Sequence, residues 1–267
     1  SGIATAIHTG SLKTILFYSH KKEDANVDED RIKSFVTDGY HRTENELRKK
    51  DAATVDLGGM HLEWQTDYLT VGATAVYYSF GSKTLDPDPR DYNLHYLRGK
   101  DHFNAGMDYR YRQRKWMIQG EAAMDKAGKV ATIHNLLLYP LSGLDVIASF
   151  RYYDKAYNAL YGQAFSESAD VQNETGCYAG LKLHRFKHWE LTAYYDYFRF
   201  PFRKYGMDAP SSGNDFLMQL LYVPRKHIQM DIRYRHKKKS KNLAMGEKGE
   251  TYVLPYDQHR WRYQLRY

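Results

Sequence analysis

The sequence is short of the features that mark several protein classes. It holds one cysteine, Cys177, so no disulfide framework can staple it. No stretch approaches the roughly 18 consecutive apolar residues that a membrane-spanning helix needs. No HExxH or Cys-x-x-Cys motif occurs, which removes the strongest zinc signals despite 12 histidines. No charged segment followed by a long apolar core opens the chain, so no signal peptide is visible in it.

What remains is 267 residues with a net charge of +7, 42% hydrophobic content and a mean hydropathy of −0.72. These values suit one or two soluble domains. The aromatic content does not: 25 tyrosines stand against 11 Phe and 4 Trp. Tyrosine has an apolar body and a polar tip, and it collects where a surface is half apolar and half wet.

The aromatics alternate with charge. Near the C-terminus His259, Trp261, Tyr263, Leu265 and Tyr267 share one face, and Arg260, Arg262, Gln264 and Arg266 share the other. The same period of two recurs over 102–112, 116–125, 144–153, 189–197 and 227–235, and more weakly over 11–21, 53–66, 69–81, 130–140, 175–185 and 214–223. Each segment is about the nine to eleven residues that a tilted strand needs to cross a bilayer. Short connections (Thr9-Gly10, Thr66–Tyr68, Gln113–Lys115, Ser142-Gly143, Lys187-His188 and Pro224–Lys226) alternate with long polar ones near 22–52, 82–101, 156–174, 201–213 and 238–255. That rhythm predicts an all-β, antiparallel up-and-down transmembrane barrel, one domain over residues 1–267, in the bacterial outer membrane. With the fragment 3–8 the count is about thirteen strands. Even-numbered closure then predicts about 14 or more, with at least one strand before residue 1. Within 22–52, Thr43 and Glu46 form a capping-box pattern that predicts a short helix.

The predicted lumen face carries Asp108, Arg110, Arg112, Glu121, Asp125, Arg151, Asp196, Asp231, Arg233, Arg235, Arg260, Arg262 and Arg266. Opposite charges on neighbouring strands pair readily, so a self-neutralising network is expected over a selectivity lining. Trp64, Tyr68, Trp116, Tyr139, Trp189 and Tyr222 fall near the periplasmic interface, with Tyr267 ending the last strand. Tyr77, Tyr78, Tyr157 and Tyr161 fall toward the outer interface. Ser211, Ser212, Asp215 and His236 lie near the outer rim, where a hydrolytic constellation would sit, but their spacing shows no mutual geometry. No catalytic residue, metal ligand or cofactor is expected, and the chain is expected not to be an enzyme. The run His236–Lys241 is read as a solvated rim facing anionic headgroups rather than as a phosphate site.

Three segments carry a family resemblance: Lys22–Val27 (KEDANV), Gly39–Leu47 (GYHRTENEL) and Lys204–Phe216 (KYGMDAPSSGNDF). Together they resemble the barrel region of Gram-negative outer-membrane proteins that couple an N-terminal helix-hairpin-helix region to a C-terminal barrel. The match runs from about residue 11 to Tyr267. The resemblance implies a longer chain whose DNA-binding module lies upstream of these residues; they contain no helix-hairpin-helix repeat. The expected function is a transport channel or the membrane-embedded part of a larger assembly, with DNA binding or uptake as the alternative. Expected partners are outer-membrane lipid and lipopolysaccharide, the barrel-assembly machinery through the C-terminal strand, other outer-membrane chains and, through the upstream module, nucleic acid.

Overall fold

A computed structural model describes residues 1–245 and 250–267. Thirteen strands form one sheet: β1 (Gly2–Thr9), β2 (Leu12–Glu23), β5 (Ala53–Gln65), β6 (Leu69–Ser79), β8 (Asp101–Arg112), β9 (Trp116–Asp125), β10 (Val130–Leu141), β11 (Leu144–Tyr153), β12 (Glu174–Leu183), β13 (Trp189–Phe200), β14 (Ser211–Arg225), β15 (Ile228–Met245) and β16 (Glu250–Arg266). Each is hydrogen-bonded to its predecessor and successor in this series, as an up-and-down meander requires. A second sheet, in the order β3-β4-β7, joins β3 (Ala25–Asp28), β4 (Arg31–Phe35) and β7 (Thr84–Leu85). The helix α1 (Glu44–Lys49) has both halves of its capping box: the Thr43 side chain accepts from Glu46 N–H, and the Glu46 carboxylate accepts from Thr43 N–H.

The local chemistry accounts for the register. Two register shifts in the large sheet, between Leu138 and Leu141 and between Tyr222 and Arg225, enclose a proline, Pro140 or Pro224. Proline has no N–H for the ladder, so the strand bulges there. Gly10 and Gly143 adopt φ of 58° and 79° in two of the short connections. A side chain at such a φ would be strained.

One expectation is corrected. Residues 238–255 were expected to form a long loop, but β15 and β16 continue through most of this range, pairing from Gln229↔Arg266 out to Met245↔Glu250. Unbroken backbone pairing stabilises a lysine-rich segment that lacks an apolar alternation. In the sheet order β1 is the first strand and β16 the last.

The chain groups into two compact units. The first, residues 1–109, 121–130 and 156–161, has an apolar core of Ala25, Ile32, Ala53, Val55, Tyr78, Phe80 and Leu85. The second, residues 110–120, 131–155 and 162–267, has its largest buried side chains in Arg151, Tyr153, Phe198 and Glu174.

Candidate functional site: a charged sheet face

In the second unit alternate residues separate two chemistries. Phe150, Tyr152, Tyr195, Tyr197, Met218, Met230, Ile232, Trp261 and Tyr263 are exposed on one face. On the other face, cross-strand pairing aligns Arg233 with Arg262 and Gln219, Arg235 with Arg260, Asp215 with Asp196 and Lys237, and Asp231 with Gln264. Side chains alternate along a strand, so these rows belong to one surface.

The centre of the polar face is Arg151, fully buried. Its Nε donates to Glu174 Oε1 at 2.6 Å, and its Nη1 and Nη2 donate to the two Asp196 oxygens at 2.8 and 3.1 Å. A bidentate carboxylate uses the planar fork of the guanidinium fully. Gly176 lies against that guanidinium; a Cβ there would overlap it, so only glycine leaves the room. Glu174 also accepts from Glu167 N–H at 3.0 Å and Ser168 N–H at 3.2 Å, which fixes the segment before β12. The Phe165 ring lies 4.8 Å from the Arg151 guanidinium, and Tyr153 OH donates to Phe165 O at 2.9 Å. Burying charges is costly unless every lone pair is satisfied, and here the backbone completes the set.

The network continues along the sheet. Lys237 reaches Glu167 at 2.6 Å and Asp215 at 3.7 Å. Asp215 accepts from Arg235 Nε at 2.8 Å. Arg233 donates to Gln219 at 2.7 Å, Gln219 donates to Asp231, and Arg262 donates to Asp231 at 3.0 Å. Glu174, Glu167, Gln219 and Lys237 were not among the candidates from sequence. Glu174 and Gln219 alternate in register with residues that were named, so the face rule could have found them. Glu167 lies in a connection, and nothing local marks it.

The remaining candidates are placed as follows. Arg110, Arg112 and Arg260 have no carboxylate partner among the described residues, and Arg266 ends the same face of β16. In the first unit Asp108 packs against Gly72, and Glu121 and Asp108 are near enough to repel. Asp125 is a turn cap rather than a free lining group. Its Oδ1 accepts from Ala127 and Lys129 N–H at 2.9 Å, and its Oδ2 from Asn158 N–H at 3.0 Å.

Trp64, Tyr68, Trp116 and Trp189 are exposed at the short-connection ends of their strands, as is Tyr267, and Tyr222 stacks on Trp189 at 4.2 Å. Two outer aromatics are corrected. Tyr78 and Tyr157 are buried, not interfacial. Tyr78 OH accepts from Leu160 N–H at 3.1 Å, and burial pushes the Tyr157 phenol up to about 12.

Ser211 and Asp215 alternate away from Ser212, and His236 pairs outward with His259, so the rim residues named from sequence do not gather. Histidine–aspartate pairs form elsewhere. His20 Nδ1 lies 2.7 Å from Asp56, and His236 Nε2 lies 3.0 Å from Asp257, with the His236 ring stacked on His259 at 4.4 Å. His20 and His236 are strand residues of β2 and β15. Among the described residues no helix is long and apolar enough to cross a membrane.

No protein-family model matches the chain, and no curated protein matches it. Among solved structures it is similar to in-vitro folded OmpT, an outer membrane protein of Vibrio cholerae. That match has 10% identity and a TM-score of 0.32, covering 99% of this chain and 62% of that one. It is also similar to outer-membrane expressed OmpT of Vibrio cholerae, at 11% identity and a TM-score of 0.31, covering 97% and 61%. The chain thus spans about three fifths of the length of the solved chains it matches. Such a likeness carries no argument about activity, and the expectation that the chain is not an enzyme is withdrawn. At this identity and TM-score it assigns no activity in its place. The chain is an all-β protein built on a 13-stranded meander, and its similar solved structures are outer-membrane proteins.

Proposed function

We propose that the chain is the larger part of an integral outer-membrane β-barrel, with its apolar face toward lipid and its polar face lining an aqueous, anion-favouring lumen. The observation that carries the reading is the division of one sheet into an exposed apolar face and a face of buried ion pairs. A soluble sandwich would bury its apolar faces against each other. Here Met107, Trp261 and Tyr263 are 63%, 62% and 70% exposed. Lipid is the solvent in which such a face is stable.

In this reading the sheet belongs to a barrel of about 14 strands or more, and the short connections lie on the periplasmic side. The C-terminal strand ending on Tyr267 presents itself to the barrel-assembly machinery. The segment 162–173, tied to Arg151, Glu174 and Lys237, narrows the lumen. Arg110, Arg112 and Arg260, which have no carboxylate partner among the described residues, bias it toward anions, because such a cation in a confined lining raises the local anion concentration. The helix-hairpin-helix resemblance offers DNA capture by an upstream module. The basic run gives it little support, since Lys237, Lys239 and Lys241 alternate with Lys238 across the two faces of β15.

Reconstitution of the full-length protein in a planar bilayer tests the proposal. Steady conductance with a reversal potential favouring chloride over potassium is expected. A cation preference, or verified insertion without conductance, would overturn the channel reading. The latter result would leave the role in a larger assembly.

A further inference from the structure

The lysine run is more than a rim. Its inward members, Lys239 and Lys241, join Lys204 in lining a cavity of about 360 Å³ in the second unit. Ser211 and Asn242 add polar groups to the wall, and Phe198 and Phe200 supply an apolar floor. Gly213 makes the floor possible, because a Cβ there would strike the Phe198 ring. Phe198 and Phe200 are buried, on the same face of β13 as Asp196.

Among the described residues the charges of this cavity do not balance. Its one carboxylate, Glu167, is already held by Lys237 at 2.6 Å. Asp208, next to it in sequence, accepts from Asn242 at 3.0 Å. Lys204, Lys239 and Lys241 have no carboxylate partner among the described residues. Two of them rest instead on aromatic rings, Lys204 Nζ at 3.3 Å from the Phe200 centroid and Lys241 Nζ at 3.7 Å from that of Tyr256. Burial, followed by the nearby cations Lys239 and Lys237, holds the Lys204 ammonium below the usual lysine range, against the pull of Glu167 and Glu174. A cation pressed against rings and other cations is one that an arriving anion would stabilise.

We propose that this cavity binds a soluble phosphomonoester, with the phosphate between the ammonium groups of Lys204, Lys239 and Lys241 and an organic body of about one ring in the rest of the cavity. A phosphomonoester carries a charge of about −1.5 to −2 at neutral pH and three strong acceptor oxygens, which matches three ammonium donors. The volume suits a small solute. A bilayer lipid would approach from the other face of the sheet, where Tyr197 and Met218 are exposed. The site does not depend on conduction, so its test and that of the channel are separable.

Phenyl phosphate titrated calorimetrically into the full-length protein in nanodiscs of neutral lipid is the probe. Saturable binding at one site per chain is expected, with no binding of phenol. The double variant Lys239→Gln/Lys241→Gln is expected to lose roughly tenfold in affinity per ammonium removed. Lys239→Arg/Lys241→Arg keeps the charge and is expected to retain binding. Lys226→Gln, in the β14–β15 connection, is expected to change nothing. Heat-modifiable migration on a gel checks that each variant is folded. Unchanged affinity in the folded double glutamine variant, or an equal loss in Lys226→Gln, would overturn the site. Competition by nanodiscs containing phosphatidic acid would overturn its assignment to a soluble ligand.

Discussion

The two units place different chemistry on the same kind of sheet face. In the first, the face ends in an apolar core in which Ile32, Ala53 and Val55 are fully buried and to which the small β3-β4-β7 sheet contributes Ala25, Ile32 and Leu85. In the second, the polar face holds Arg151, Glu174 and Asp196 in an ion network. Apolar packing is tolerant in register and ionic packing is not. A misplaced methyl group leaves a small void, whereas a misplaced carboxylate leaves an uncompensated charge. The first unit is therefore expected to lose stability gradually with substitution, and the second abruptly.

The largest effect should come from Arg151→Ala, which strands Glu174 and Asp196 without their cation. A loss of about 3–5 kcal/mol is expected from denaturant unfolding in detergent, together with new protease cleavage within 162–173. An equal loss in Arg151→Met without new cleavage would break the link between the network and that segment. Ile32→Ala in the first unit should cost about 2–5 kcal/mol, depending on how far the site collapses, and should leave 162–173 resistant. Sensitivity in that segment would show that the two regions do not behave independently.

Smaller effects sharpen the contrast within the first unit. Thr43→Ala removes one half of the capping box and should cost about 1 kcal/mol, read as faster amide exchange confined to α1. The smallest concerns Asp24, whose carboxyl is held below its ordinary value of 3.8 by Asp51 N–H and His41. A depressed carboxyl contributes above its unfolded value and loses that contribution as pH falls through the lower folded one. Cleavage between 36 and 52 should stay constant from about pH 7 to pH 5 and rise only in stronger acid. A rise already at pH 5 would point to His41 instead.

The strands were legible because a period of two survives wherever apolar and charged residues alternate, as in Asp145–Tyr152 or Gln229–Tyr234. The helix was legible because Thr43 and Glu46 satisfy backbone donors at a fixed spacing. The outer halves of β15 and β16 were not: Lys237–Lys241 reads as a solvated run, and pairing with its partner strand, not composition, makes it β. Glu167 and the lysine cavity were hidden for a related reason. Their partners are 70 residues away in the case of Lys237, and local spacing carries no trace of such a contact. The burial of Tyr78 and Tyr157 was missed because a tyrosine at a strand end looks the same whether it meets an interface or a folded connection.

The central claim is that one face of the sheet meets lipid and the other water. Cys177 tests it most directly. It is the only cysteine in the chain and is exposed on β12, paired with Phe150 and Tyr197 on the apolar face. An environment-sensitive fluorophore attached there, in the full-length protein with other cysteines removed and reconstituted in vesicles, should be quenched by spin-labelled acyl chains and untouched by aqueous iodide. Quenching by iodide alone would place Cys177 in water and contradict the membrane-facing assignment of the whole apolar face.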